Sequence, residues 1–207
     1  MSQSRKVVAV TGPTATGKTA LAVDLARQFN GEIVSVDSRQ VYTGMDLGTG
    51  KDLAEYGEIP YHLIDLAAPG DEEYHLARFV HDAYLAMAGI IARGRLPILC
   101  GGTALYLDAL LKGYRLPGGE APKTETRLRR DRTLAPSFEP PFELDALVLG
   151  VYYPRGEVRR RIELRLDARL AAGMIDEVVR LHAGGVSYEK LEYFGLEYRE
   201  IARYLRG

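Results

Sequence analysis

An α/β domain built on a parallel sheet is predicted by three features of this chain. Short β-branched runs alternate with stretches of helical period. The first run ends in the pattern G-x(4)-G-K-T, which opens straight into a helix. A content of 46% apolar and 27% charged residues in a 207-residue chain suits one domain with a real core. The expected class is therefore α/β, a P-loop NTPase-like parallel sheet flanked by helices, with a small helical C-terminal part.

The elements follow in order. "KVVAVTG" is a β-branched run stopped by glycine and reads as a buried strand. "KTALAVDLARQF" places Leu21, Leu25 and Phe29 at helical spacing, with Ala22 and Ala26 beside them. "GEIVSVDS" is a second strand that ends at Asp37, and "YHLIDL" a third, shorter one. "EYHLARFVHDAYLAMAGIIARG" is a long helix whose aromatic residues are expected to pack, with Gly94 as its stop. "RLPILCGGT" is a strand broken by a double glycine, with Cys100 as a small core residue, and "ALYLDALLKGY" is helical. After Tyr114 the composition turns to Pro, Gly and charge, a linker-like stretch with one short helix over 123–133. "LDALVLGVYY" is a further strand. "PRGEVRRRIELRLDARLAAGMIDEVVRLHAGG" is a long helix or helix pair, and "GLEYREIARYL" closes the chain. The expected organisation is a core over 1–114, a linker-like segment over 115–142, and a last strand with C-terminal helices over 143–207.

The totals exclude several function classes. A net charge of −1 gives no global attraction to nucleic acid, so a basic binding surface has to be local. One cysteine rules out an internal disulfide and fits a reducing compartment. No apolar run approaches the ~20 residues that span a bilayer. The opening "MSQSRKVVAV" runs into a strand without the pattern of a secretion signal. The expectation is a cytoplasmic protein without membrane contact.

The glycine-rich loop "GPTATGKT" has a direct physical use. Successive backbone N–H groups from Thr14 through Ala15, Thr16, Gly17 and Lys18 to Thr19 point into one concavity, and the helix N-terminus adds its partial positive charge. Gly12 and Gly17 allow the tight turn. Lys18 reaches a phosphate oxygen, and the Thr19 hydroxyl suits Mg²⁺. In ATPases and kinases an acid closing a second buried strand holds the metal. The candidates here are Asp37 and Asp65, since "RLPILC" ends in Gly101-Gly102-Thr103 without an acid. A small-molecule P-loop kinase therefore has to rely on Asp37.

Four stretches in order, "GPTATGKT", "VDSRQVYTGMDLGTGK", "IPYHLIDL" and "LPILCGGTALYLDALL", resemble the tRNA dimethylallyltransferases, also called tRNA isopentenyltransferases. "RRRIELRLDARLAAGMIDEVVRL" is similar to that family's R-I-x-x-R helix, and "FGLEYREIARYL" to its G-Y-x-E segment. The resemblance implies alkyl transfer: an adenine N6 amine attacks the primary carbon of dimethylallyl diphosphate, and diphosphate leaves into the cradle.

It also implies roles. Asp37 matches the family's general base, which orients the amine and takes its proton. It equally suits a loop cap or a Mg²⁺ ligand. Thr103 matches a threonine near the bridging oxygen of the diphosphate, and also suits a cap for the following helix. Arg161 matches the first arginine of R-I-x-x-R, a diphosphate contact. In this chain Arg161, Arg165 and Arg169 form one stripe beside the apolar stripe Val158, Ile162, Leu166 and Leu170. The same arginines also suit a solvated face paired with Glu157 and Glu163. Ser38, Gln40 and Tyr42 lie in the loop that the family places near the target adenine, and also suit hydrogen bonds within the loop. Lys51 in "GTGK" and His62 in "YHLIDL" are expected near the site, and a histidine after a tyrosine in a strand also suits a structural place.

Two departures from the family bear on the acceptor. Residues 115–142 stand where the family has a helical insertion that clasps the anticodon stem-loop, with "RLRRDR" as a small basic patch. The family's basic C-terminal extension after the G-Y-x-E segment is also expected to be missing. The resemblance still implies a tRNA adenosine near the anticodon as the acceptor, held through a reduced surface. A free adenine nucleotide, used by the related adenylate isopentenyltransferases, stays open as the alternative, as does retained ligand binding without activity.

Overall fold

The computed structural model describes residues 4–70, 74–114, 116–117 and 137–207. Its centre is a five-stranded parallel sheet. The strands are β1 (Ser4–Thr11), β2 (Gly31–Ser35), β3 (Tyr61–His62), β4 (Leu96–Cys100) and β7 (Glu143–Gly150), in spatial order β3-β2-β4-β1-β7. Two further short strands, β5 (Leu116–Pro117) and β6 (Ser137–Phe138), pair antiparallel. The helices are α1 (Lys18–Phe29), α2 (Leu76–Ala92), α3 (Ala104–Leu111), α4 (Arg155–Ala171), α5 (Met174–Ala183), α6 (Tyr188–Tyr193) and α7 (Leu196–Arg206). A 3₁₀ turn covers Leu53–Tyr56. The helix expected over 123–133 lies outside the described residues.

The parallel arrangement places the chemistry. Strand β4 inserts between β1 and β2, so the loops after these three neighbours emerge side by side at their carboxyl ends. Open α/β sheets bind ligands at that edge. The loops are stitched together: the Val36 N–H donates to the Cys100 carbonyl (2.8 Å), and the Gly101 N–H to the Val10 carbonyl (3.2 Å). A Cβ on Gly101 would lie 2.1 Å from the Val36 carbonyl oxygen, so only glycine lets the three loops close up.

Helix α1 packs with a different face from the one its leucines suggest. Ala22, Val23 and Ala26 are buried, while Phe29 is 53% exposed. Small side chains let the helix lie close on the sheet, and Leu21 and Leu25 pack only at the flank. Aromatic packing is as expected for Phe79 and Tyr84 of α2 and for Tyr74 just before it, all buried. The long basic stretch is a pair, α4 and α5, broken at Gly173 with φ of 96°. The apolar stripe of α4 is not a core face: Ile162, Leu166 and Leu170 are about 40% exposed and no residue of α4 is buried. Short helix α6, capped by the Ser187 hydroxyl, has no counterpart in the sequence expectation.

Candidate active site

A cleft of about 940 Å³ opens at the carboxyl edge of β1, β2 and β4. The loop Gly12–Thr19 forms its floor, Asp37 to Gln40 and Gly101 to Thr103 one wall, and α4 the facing wall. Gly12 has φ of 147°, and a Cβ there would lie 2.5 Å from the Val151 carbonyl oxygen. Ala15 sits at φ of 60°, an uncommon conformation for a residue with a Cβ, and Gly17 at 77° leads into the N-terminus of α1. The Pro13 carbonyl accepts the Thr16 hydroxyl (2.8 Å) and the Lys18 ammonium (2.6 Å), so the lysine folds over the loop it follows. Burial, reinforced by Arg165, lowers the Lys18 pKa, against the pull of Cys100 and Asp37. Thr19 lines the cleft beside Cys100, whose thiol is pushed up to about 12 by burial.

Asp37 and Thr103 come together as the sequence suggested. The Asp37 carboxylate accepts the Arg39 N–H (2.8 Å) and the Gln40 N–H (3.4 Å), which fixes the turn that carries it. Only Oδ1 makes these bonds, and the residue still lines the cleft. Thr103 stands at the N-cap position of α3, yet its side chain does not cap the helix. Its hydroxyl accepts the Ser38 N–H (3.1 Å) and donates to the Ser38 hydroxyl (3.4 Å). Thr103 thus ties the β4 loop to the Asp37 loop.

The arginine wall differs from expectation in rank. Arg161 lines the cleft, but its Nε donates to Glu157 (2.7 Å) and its guanidinium lies 4.3 Å from the Tyr153 ring. Arg165, one turn on, reaches the cradle. It donates to the Thr14 hydroxyl (3.3 Å) and the Gly50 carbonyl (3.4 Å), and pairs with Asp52 (3.2 Å). Arg169 lies behind it, 3.7 Å from Asp52, with one nitrogen buried and lacking a hydrogen-bond partner. Its charge is disfavoured first by burial and then by Arg165. Gly50 makes room for both arginines, since a Cβ there would meet each of them at about 2 Å.

The three adenine candidates separate. Ser38 lines the cleft. Gln40 also lines it, but its amide is used within the loop: the oxygen accepts the Ser35 hydroxyl (3.0 Å) and the nitrogen donates to the Gly50 carbonyl (3.1 Å). Tyr42 does not reach the cleft. It is 1% exposed, pinned edge-on against Phe194, and its hydroxyl accepts the Tyr74 N–H (3.0 Å). The turn after Gln40 folds Tyr42 inward to bridge Ala67, so this residue belongs to the core. Lys51 and His62 are structural as well. Lys51 is buried on Asp46, Asp65 and the Tyr42 carbonyl. That occupies Asp65, the second acid a kinase would have used. His62 pairs with buried Glu32 (2.6 Å), which Arg93 and Arg95 also hold.

Sequence inspection overlooked a buried acid that anchors a loop of the cleft. Glu177 on α5 is 2% exposed and accepts the N–H groups of Asp46 (2.9 Å), Leu47 (2.8 Å) and Gly48 (3.1 Å), and the Tyr198 hydroxyl (2.7 Å). It anchors the loop whose Gly50 carbonyl meets Gln40 and Arg165. The Met174, Glu177 and Val178 face of α5 carried the signal, a glutamate set between apolar residues.

Comparison with known proteins agrees with this geometry. The sequence model of the family described as IPP transferase matches residues 40–138 and 132–207, and one described as isopentenyl transferase matches 5–58. The chain is 46% identical over 245 aligned positions to tRNA dimethylallyltransferase 2 of Trichlorobacter lovleyi, covering 100% of this chain and 80% of that protein. It is 43% identical over 241 positions to tRNA dimethylallyltransferase 1 of Geotalea uraniireducens, covering 99% and 80%. Among solved structures, a tRNA delta(2)-isopentenylpyrophosphate transferase of Staphylococcus epidermidis superposes with a TM-score of 0.78 at 26% identity, over 98% of this chain and 81% of that one. The full-length tRNA isopentenylpyrophosphate transferase of Bacillus halodurans gives 0.71 at 27%, over 97% and 84%. On the strength of these matches, which run nearly end to end, the chain belongs to the IPP transferase family.

Proposed function

We propose that the protein transfers a dimethylallyl group from dimethylallyl diphosphate to N6 of a tRNA adenosine near the anticodon and releases diphosphate. The observation that carries this is the convergence of an anion cradle, a carboxylate and a hydroxyl in one cleft. The relatives named above are tRNA dimethylallyltransferases, which supports the acceptor. A cytoplasmic location is part of the same proposal. Among the described residues no helix is long and apolar enough to cross a membrane.

The adenine amine is a weak nucleophile because its lone pair is delocalised into the ring. As N6 bonds to the allylic carbon, the Asp37 carboxylate takes its proton. The carbon–oxygen bond breaks, and its electron pair leaves on the diphosphate. The cradle N–H groups, Lys18 and the arginine wall receive that charge in a preorganised setting. Arg165 is the better placed of the two arginines, because it already contacts the loop at Thr14. Thr103, tied to the Asp37 loop through Ser38, supplies the hydroxyl that assists the departing oxygen. The cradle also fits Mg²⁺: the Thr19 hydroxyl is a hard oxygen donor that would hold it, and this ion takes its remaining ligands from phosphate and water. When bound it offsets diphosphate charge.

The family match falls into two pieces that meet at 132–138. The alignment to the Trichlorobacter relative has 245 positions against 207 residues here, so 38 of its positions have no counterpart. Both support residues 115–142 as a shortened replacement for the family's helical insertion, between a core over 1–114 and completing elements over 143–207. Nucleoside mass spectrometry of tRNA from cells with and without the gene tests the acceptor. Loss of N6-prenyladenosine is expected, and an unchanged level refutes a tRNA acceptor. Incubation with dimethylallyl diphosphate plus adenosine monophosphate, and separately with ATP, exposes the two rivals, a free-nucleotide transferase and a kinase.

A further inference from the structure

We propose that Arg39, seated on Tyr193, is a stacking platform for the RNA base next to the adenine being modified. This rests on the transfer to RNA proposed above and names the subsite that makes the acceptor a polynucleotide.

Arg39 follows Asp37 by two residues, and its N–H is held by the Asp37 carboxylate (2.8 Å). The acid that faces the target amine therefore also fixes the backbone of Arg39. The Arg39 guanidinium lies 4.8 Å from the centre of the Tyr193 ring and 5.8 Å from that of Phe194. Phe194 is buried and braced edge-on by Tyr42 at 4.8 Å, so the support beneath is rigid. Tyr193 is 48% exposed, and Arg39 itself lines the cleft. A guanidinium is a flat cation that stacks on aromatic rings with one face and leaves the other for a base. Arg161 and Arg165 each rest on a carboxylate, whereas among the described residues no carboxylate pairs with Arg39. Its charge is thus open to the adjoining phosphate. A free mononucleotide has no neighbouring base to place there.

The test uses the full chain, a fluorescent RNA hairpin with the target adenosine in its loop, and the same hairpin with the adjoining nucleotides made abasic. Arg39→Ala is expected to weaken binding of the intact hairpin about tenfold or more, the scale of one lost stack. It should raise KM for RNA while kcat and the affinity for a prenyl thiodiphosphate stay within about threefold. Arg39→Lys should behave like alanine, since it keeps charge and loses the plane. Tyr193→Phe should be silent, and Tyr193→Leu should follow Arg39→Ala. On the abasic hairpin the Arg39→Ala penalty should vanish. Full rescue by lysine, an equal penalty on the abasic hairpin, or a loss confined to kcat would each overturn the proposal. If the wild type prenylates no acceptor, the transfer activity falls, and the binding arm still decides the platform.

Discussion

Replacing Glu177 by alanine removes the acceptor of three backbone N–H groups and one tyrosine hydroxyl at once. An unsatisfied buried donor costs about 1–3 kcal/mol. Water reaches part of the 46–48 loop and recovers some of this, which leaves an expected loss of about 3–5 kcal/mol in unfolding free energy. That is a large part of the 5–15 kcal/mol typical of a domain. Glutamine keeps one oxygen for these donors but turns an NH₂ against the others, so Glu177→Gln should lose roughly half as much. The assay is urea unfolding followed by circular dichroism at constant pH. The folded fraction of either variant should also bind the donor less well, because the Gly50 carbonyl that receives Arg165 belongs to the same loop. A loss below about 1 kcal/mol for alanine would show that the 46–48 loop is held by other means.

The remaining predictions concern the site and one distant ion cluster. Arg165→Ala should raise KM for dimethylallyl diphosphate about tenfold or more, the worth of a charge-assisted hydrogen bond, with Arg161→Ala less costly because Glu157 and Tyr153 already engage it. The reverse order in steady-state kinetics would restore Arg161 as the principal ligand. Asp37→Asn should cut kcat by about 10²- to 10⁴-fold and leave donor affinity within a few-fold, as read by rapid quench and by calorimetry. A parallel loss of donor affinity would instead mark Asp37 as chiefly a metal or loop residue. Glu32 is held by Arg93 above all, and its pKa falls from 4.5 to about 2. A depressed acid stabilises the fold above its unfolded pKa and loses that contribution as pH falls. Glu32→Gln should therefore cost about 1–2 kcal/mol at pH 7, after allowance for the half-exposed Arg93, with the gap closing between about pH 4.5 and pH 2. A gap that widens toward acid pH in thermal unfolding refutes this linkage.

What could be read from the chain before any coordinates was local in origin. The strand, cradle and helix from Val7 to Phe29 are announced by one contiguous pattern. The approach of Asp37 and Thr103 follows from two strand ends once the sheet is parallel. Choices that depend on distant neighbours were not legible. Phe29 has the right helical spacing but faces solvent, because the sheet needs alanines where α1 lies closest. Tyr42 carries a hydroxyl in a site loop, yet its bridge to Ala67 and the Tyr74 N–H draw it into the core. Arg161 and Arg165 share one stripe, and only the position of Glu157 and the reach to Thr14 distinguish them. Glu177 looks solvated in sequence and is buried by a loop more than a hundred residues earlier. Arg39 and Tyr193 lie far apart along the chain and meet only because α6 packs beside the Asp37 turn.

The proposed transfer requires the glycine-rich loop to hold a departing diphosphate while Asp37 faces the carbon that it leaves. A crystal structure with an unreactive prenyl thiodiphosphate tests this most directly. The diphosphate should lie on the N–H groups of Thr14 to Thr19, with Lys18 swung off the Pro13 carbonyl and Arg165 drawn from Asp52. The allylic carbon should sit between Asp37 and Thr103. Diphosphate bound away from the loop, or an allylic carbon on the far side of the cleft from Asp37, contradicts the mechanism.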